Sequence, residues 1–402
     1  MSKRAFLKFL GSHLFTSLGY LLGVMQVVVG HWATVVVAGR EGPGLFFGLI
    51  LAALLVAANG AVMPSLRRAR RGDGWPRRVA AAYMSVGLAT LLLGLTIVLS
   101  WIGFLPLAGL LTLFGMGGDS VFTIFRVLSA SIVGTLVWML LWGFTVGRVR
   151  LQRTHVRVAL DGLHEGLRGL RIVQISDLHI GNVLVGERLS RIVEAVNALE
   201  PDVVALTGDI FDFDPRFVED GALRLGALRA RHGVYLVLGN HDIYTGSELV
   251  ADALSRRAPD LRLLRDERVR LPTAAPLYLV GVEDPGRTTA WTAQGIELEA
   301  LAELGSEHPE DGPTVLLVHR PEAFPQASRL GFPLVLAGHT HGGQIALPTR
   351  GGHWNLARVI TPFVRGVYRE NGSTLYVNRG AGFAGPALRF NCPREIATIE
   401  LV

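Results

Sequence analysis

The sequence predicts two parts of different class. An all-α membrane domain of about four transmembrane helices over residues 1–150 precedes an α/β domain over 151–402. Three observations predict this. Nearly all the unbroken apolar sequence lies before about residue 148. From about residue 160, apolar runs of strand length alternate with amphipathic stretches of helix length. Five of those later runs end in glycine or serine followed by aspartate, asparagine or histidine, or directly in histidine.

The overall numbers agree once they are read as segregated. The chain has 402 residues, 50% of them hydrophobic and 18% charged, with a mean hydropathy of +0.38. That is too apolar for an evenly mixed soluble protein. The C-terminal part has ordinary composition, and its roughly 250 residues can bury a full core. The single cysteine, Cys392, rules out an internal disulfide and fits a reducing compartment. The net charge of +6 and pI near 9.9 do not point to nucleic acid, because many arginines flank apolar segments, where they set membrane orientation.

The spans are expected at roughly 13–38, 45–64, 79–102 and 125–147, each long enough for the ~20 helical residues a bilayer requires. The first is too long, and too closely followed by others, for a removed signal peptide. Lys3, Arg4 and Lys8 precede it. Only Arg40, beside Glu41, separates spans one and two, whereas Arg67, Arg68, Arg70, Arg71, Arg77 and Arg78 separate two and three. Basic residues are then absent until Arg126, and Arg148, Arg150, Arg153 and Arg157 follow the fourth span. This alternation predicts an N-terminus inside, four crossings and a cytoplasmic C-terminal domain. The segment 104–118, with Pro106 and several glycines, is expected to be a loop or re-entrant piece; a fifth crossing there would reverse the topology. Gln26 and His31 read as helix-packing groups.

In the second part, strands are expected at Arg171–Ser176, Asp202–Thr207, Val234–Leu238, Thr314–Val318 and Leu334–Ala337. Helices are expected at Glu187–Leu199, Phe217–Ala230 and Ser247–Arg256. Such runs suit a largely parallel sheet buried on both faces. The strands are followed in turn by Asp177-Leu178-His179, Gly208-Asp209, Gly239-Asn240-His241-Asp242, His319 and Gly338-His339-Thr340-His341. Taken singly, each has a plain reading as helix cap, turn or core histidine. Ligands gather outside the carboxyl ends of strands in α/β sheets, so the five segments can converge. Oxygen and imidazole donors without thiolate then point to a two-metal site.

This series resembles the calcineurin-like metallophosphoesterase superfamily in order and wording: Asp177-x-His179, Gly208-Asp209-x-x-Asp212, Gly239-Asn240-His241-Asp242, His319 and Gly338-His339-x-His341. Ser176-Asp177-Leu178-His179, His319-Arg320-Pro321-Glu322 and His339-Thr340-His341-Gly342-Gly343-Gln344 resemble its bacterial membrane-associated branch. The likeness covers about 165–402 and leaves the membrane half unexplained.

The resemblance implies a sandwich of two mixed sheets flanked by helices. It implies one metal on Asp177, His179, Asp209 and His341, and a second on Asp209, Asn240, His319 and His339, with Asp209 bridging. Manganese, iron or zinc would fit. A metal-bridging hydroxide would attack phosphorus in line. His241 would stabilise the transition state or protonate the leaving oxygen. Asp242 would orient it or cap a helix, and Asp212 would support a ligand. In the protein phosphatase branch an arginine follows the second aspartate, where this chain has Phe213; that turns the expectation toward phosphodiesters or lipid pyrophosphates.

His155, His164, His232, His308 and His353 match no motif position. The stretch Gly342–Gly366, with Trp354, Ile360 and Phe363 among Arg350, Arg358 and Arg365, could wall a cleft for a phospholipid-like substrate or be an ordinary surface loop.

The resulting expectation is a multi-pass protein of the bacterial inner membrane with a cytoplasmic, metal-dependent phosphoesterase domain. Its substrate would be a phosphoester, a membrane lipid or nucleotide-linked lipid among the candidates. No protein partner is expected. The alternatives are a nuclease, which salt-sensitive nucleic-acid binding would reveal, and an inert membrane scaffold or sensor, which would have lost ligands.

Overall fold

The chain divides into two units, Met1–Trp142 and Gly143–Val402. The computed structural model describes all residues except 1–2, 40–41, 43–44, 71–76, 182, 287–297, 307–308, 310 and 350–351. Arg40, Glu41, Arg71, His308 and Arg350 thus lie outside the described residues, as do the side chains of Lys3, Arg4, Lys8, Arg67, Arg68, Arg70, Arg77 and Arg78.

The first unit is helical because its long apolar runs can satisfy backbone groups only within themselves in lipid. Its helices are α1 (Lys3–Trp32), α2 (Leu45–Arg70), α3 (Arg77–Leu113) and α4 (Gly118–Trp142). α1 packs on α2 and α3, and α3 on α4. Ser17–Val37, Val79–Leu113 and Gly118–Gly147 are long and apolar enough to cross a membrane; the apolar part of α2 described, Phe46–Val62, is shorter. The loop expected at 104–118 is mostly helix instead. α3 runs through Pro106 to Leu113, and only a short turn precedes Gly118. Proline is tolerated in such helices because neighbouring groups satisfy the carbonyl it orphans. Gln26 accepts a hydrogen bond from Asn59 Nδ2 at 2.9 Å, and Tyr83 donates to Asn59, so three helices share one polar contact.

The second unit holds two mixed sheets of six strands each. One has the order β1 (Leu151–Val158), β14 (Arg394–Leu401), β2 (Arg171–Ile175), β3 (Val203–Thr207), β4 (Val234–Val237), β5 (Leu261–Leu263). The other runs β12 (Gly366–Glu370), β13 (Ser373–Val377), β9 (Leu334–Ala337), β8 (Thr314–Leu317), β7 (Tyr278–Gly281), β6 (Glu267–Arg270). The strands that carry the motifs pair in parallel, β2 with β3 with β4 and β8 with β9. Antiparallel pairs are β14–β2, β12–β13 and β6–β7.

The sheets stack through Ile172, Val203, Ala205, Leu279, Val315, Leu334 and Leu336. The outer face of the first sheet is covered by α5 (Glu187–Asn197), α6 (Val218–Leu225) and α7 (Asn240–Arg257), and that of the second by α8 (Leu298–Ser306) and α9 (Phe324–Arg329). Strands buried on both faces need no polar alternation, which is why β3 and β9 read as unbroken apolar runs. A small hairpin, β10 (Leu347–Thr349) with β11 (Gly352–Trp354), leaves the sandwich after the last motif.

Candidate metal centre

Parallel pairing brings the carboxyl ends of β2, β3 and β4 to one edge, and the same holds for β8 and β9. The chain turns sharply as it leaves each strand. Asp177 (φ 50°), His179 (46°), Asp209 (52°), His339 (71°) and His341 (52°) all adopt left-handed backbone. L-residues seldom hold this conformation, although Asp and His tolerate it better than most. Its concentration in the motif residues marks a site where strain is held by the surroundings.

Glycines make room between these turns. A β-carbon at Gly208 would overlap His319, one at Gly239 would overlap Asp209, and one at Gly338 would overlap Ser176 and Asp177. Each strand end occupies space that a side chain on its neighbour would need.

Three clusters of potential ligand atoms result among the described residues, one of them His179 with Asp212 and His241; the other two hold expected ligands. Asp177, His179 and His341 form one and Asp209, His319 and His339 the other, each with ligand atoms within 4.8 Å of one another. His179 Nε2 faces His341 Nε2 at 2.9 Å, and His319 Nε2 faces His339 Nδ1 at 3.1 Å. Asp209 Oδ2 lies 3.6 Å from His179 Nε2 and 3.3 Å from His319 Nε2, between the pairs. Asp177 Oδ1 lies 3.4 Å from His341 Nε2. Asn240, at the start of α7, is buried, and its Oδ1 has no hydrogen-bond partner among the described residues.

These donors fit divalent cations. Imidazole nitrogens aimed at each other, with a carboxylate oxygen between them, make poor hydrogen-bond pairs and good ligands. An orphaned buried amide oxygen adds a further donor. The electrostatics agree at His339 and His341, while His319 stands protonated against Asp209, and a metal there would displace that proton. Burial would raise the Asp209 carboxyl, but His319, His241 and His179 outweigh it and hold the group well below the usual range. Burial would lower His319, yet Asp209 and Asp177 push it up to about 10. Burial dominates at His339 and His341; with His319 and Arg320 beside one, and His179 and Arg389 beside the other, both stay neutral, the form that binds metal.

His241 sits one residue beyond Asn240. Its backbone N–H donates to Asp209 Oδ1 at 2.8 Å, and its Nδ1 meets Asp212 Oδ1 at 2.9 Å. Asp242 does not touch the ring. It is fully buried and accepts from the amides of Gly239, Ile210 and Phe211 at 2.8, 3.1 and 2.8 Å, capping α7 and tying its start to the β3 turn. Burial, with Asp209 nearby, pushes it up to about 6. The carboxylate that meets the His241 ring is Asp212, while Asp242 occupies the helix-cap position that was the alternative expected for it. Burial alone would raise Asp212, but His179 and His241 hold it far down. Phe213 packs edge-on against His241 with centroids 4.5 Å apart.

Asp212→Asn keeps the shape but loses the charge that fixes His241. Its expected effect is a loss of about 10- to 100-fold in kcat with KM little changed, the scale of an orienting partner. Steady-state kinetics on one ester would check it; an unaltered kcat would remove Asp212 from the machinery.

Two residues escaped the sequence reading. Arg389 is a completely buried guanidinium behind the site, donating to the carbonyls of His341, Arg379 and Gly382 at 3.0, 2.8 and 2.8 Å, and more weakly to Gly380 at 3.3 Å. Its signal was a charge between Leu388 and Phe390 in an apolar stretch, where charges survive only when satisfied. Asp284 holds Arg320, next to His319, through a 2.6 Å bond to Nε. It lies in a loop with no motif wording.

Comparison with known proteins agrees with this geometry. The model of the family described as calcineurin-like phosphoesterase matches residues 170–343. A transmembrane protein with metallophosphoesterase domain from Danio rerio is 36% identical over 260 residues, covering 61% of this chain and 56% of that protein. An uncharacterized metallophosphoesterase of Helicobacter pylori is 34% identical over 263 residues, covering 65% and 66%. One from Bacillus subtilis is 30% identical over 270 residues, covering 62% of this chain and 85% of its own length. The chain thus spans a little over half the length of the vertebrate relative, 56%, and most of the Bacillus one, 85%. With the motif residues gathered at the strand ends of a two-sheet sandwich, and whole-domain likeness to metallophosphoesterases, this chain belongs to the calcineurin-like phosphoesterase family.

Proposed function

We propose that this protein is a membrane-anchored two-metal phosphoesterase that hydrolyses a phosphodiester or pyrophosphate bond in a lipid or nucleotide-linked lipid. One observation carries the reading: a single oxygen, Asp209 Oδ2, lies 3.6 Å and 3.3 Å from imidazoles of two separate pairs. Asp177, His179, Asp209 and His341 would hold one cation, and Asp209, Asn240, His319 and His339 the other. Bound there, manganese, iron or zinc would supply Lewis-acid charge that activates water and neutralises phosphoryl oxygens.

The chain's own groups do the rest. With Nδ1–H engaged by the Asp212 carboxylate, His241 in its imidazolium form would give its Nε2 proton to the leaving oxygen and be left neutral. The backbone bond from His241 to Asp209 keeps that ring in register with the ligands. Asp242 fixes the α7 start that presents Asn240 and His241. Arg320, held by Asp284, adds positive charge beside His319 for an anionic substrate.

In this reading residues 1–150 are the membrane domain, α2 completes four crossings, and the catalytic domain from 151 faces the cytoplasm of a bacterium. The basic runs after the second and fourth spans support that orientation.

The test uses the full-length protein in lipid nanodiscs. An aryl phosphodiester should be cleaved in manganese buffer, lose cleavage after chelation and regain it on manganese addition, with the aryl monoester a poorer substrate. A folded protein that binds manganese yet cuts neither ester would overturn the reading. Monoester preference would overturn the diester assignment.

A further inference from the structure

The segment after the last motif is built unlike the rest of the domain surface. Between His341 and Arg369 the sequence has three arginines, Arg350, Arg358 and Arg365, and no carboxylate. Within it, Trp354, Leu356, Val359 and Ile360 are 49, 70, 74 and 47% exposed, and Leu347 on the facing strand of the hairpin is exposed as well. Single exposed apolar side chains are ordinary, but five within 14 residues form a patch that calls for a partner.

The lobe is not a loose loop. Asn355 is buried and donates to the carbonyl of Gly342, the residue after His341, at 3.3 Å; its Oδ1 accepts from the Arg358 amide. Thr340, between the two ligand histidines, donates to the carbonyl of Val364 at 2.6 Å. Phe363 is the inner anchor, packed edge-on against Phe324 and Tyr368 at 5.6 and 5.2 Å. The lobe therefore presents Trp354, Leu356, Val359 and Ile360 outward from a base bonded to the His341 turn. Its positive field is concentrated too. After desolvation, Arg365, Arg358 and Arg379 are the groups that push the His353 imidazole down.

We propose that this lobe, Leu347 with Trp354 to Ile360, is a lipid-interface surface that seats in the headgroup–acyl boundary of an anionic bilayer, with the metal centre beside it taking a lipid-borne phosphoester. Exposed apolar side chains that include a tryptophan, with Arg358 and Arg365 in the same stretch and no acid, are the composition that binds this boundary. A protein partner fits less well, since the three arginines would then need matching carboxylates on that partner, whereas an anionic lipid surface supplies negative charge at every position. The substrate part rests on the phosphoesterase reading above; the surface itself does not.

The test separates the two. Cys392 is buried, so a solvatochromic fluorophore can be placed at Val359→Cys in the full-length protein, with Leu223→Cys on α6, also exposed, as the control. Both are reconstituted in phosphatidylcholine–phosphatidylglycerol vesicles containing nitroxide-labelled phospholipid. The probe at 359 should be blue-shifted and quenched by the nitroxide, and the probe at 223 should be neither. Equal quenching at both positions, or a blue shift at 359 without lipid quenching, would overturn the lipid surface whatever the enzyme does.

For the substrate part, Leu356→Asp with Val359→Asp is assayed on a nitrophenyl ester of phosphatidic acid and on the soluble bis-nitrophenyl diester, which share a leaving group. Water adds at phosphorus and nitrophenol leaves in both. The lipid ester should lose roughly tenfold more rate than the soluble one, the scale of a few buried side chains. Parallel losses would overturn the lipid substrate. Loss of all diester cleavage in the parent protein would instead strike the phosphoesterase reading and leave the quenching result standing.

Discussion

Asp209→Asn is expected to lower diester hydrolysis by about 10³-fold or more, the scale of removing a principal electrostatic stabiliser. Asparagine keeps the shape and can still accept the His241 amide through its carbonyl oxygen. It loses the charge that Oδ2 presents to His179 and His319 at 3.6 and 3.3 Å. In one orientation it also turns an N–H₂ toward imidazole nitrogens that need an acceptor or a cation. Metal content by atomic spectroscopy should fall together with kcat. A variant with parental metal content and parental rate would sink the shared-ligand assignment. Because Asp209 is the leading attraction that pushes His319 up to about 10 against burial, the histidine should also titrate at lower pH in the variant.

Arg389→Met should be the most destabilising single change in the catalytic domain, by about 4 kcal/mol, since several buried carbonyls lose their donor at about 1–3 kcal/mol each. The carbonyls of His341, Arg379, Gly380 and Gly382 all point at this one guanidinium. They come from the last ligand turn and from the chain after β13, so one side chain ties two segments that no sheet bond joins. Arg389→Lys should recover only part of the loss, because an ammonium cannot reproduce the planar fork. Denaturant unfolding of the full-length protein, followed by a probe in the catalytic domain, would read both. A Met variant as stable as the parent would mean that water or rearrangement satisfies those carbonyls.

How far the sequence reached depends on what each feature obeys. β2, β3, β4, β8 and β9 were legible because double-faced burial leaves an unbroken apolar run, and each leads into a turn residue and a donor or, after β8, directly into His319. β1, β12 and β14 were not. β1 and β12 are exposed or half-exposed along most of their length, so no apolar run marks them, and β1 and β14 pair across the whole domain, Leu151 beside Arg394. The stacking of two sheets came from resemblance, since nothing in spacing dictates which apolar faces meet. Asp212 and Asp242 show the limit within the site. Both stand near His241 in sequence, and only the start of α7 at Asn240, earlier than the amphipathic pattern signals, turns Asp242 inward to the backbone and leaves the ring to Asp212. Pro106 misled for the opposite reason: a breaker in water is tolerated in a long apolar helix.

The left-handed turns at Asp177, His179, Asp209, His339 and His341 weigh on the stability of the chain. Glycine would relieve each of them by about 1 kcal/mol. Glycine would also lose what these side chains hold, since Asp177 accepts the His339 amide and Asp209 the His241 amide, so the strain is balanced by bonds the donors themselves make. This chain carries aspartate or histidine at all five, the donor types a metal centre needs, and holds them at a cost in backbone strain.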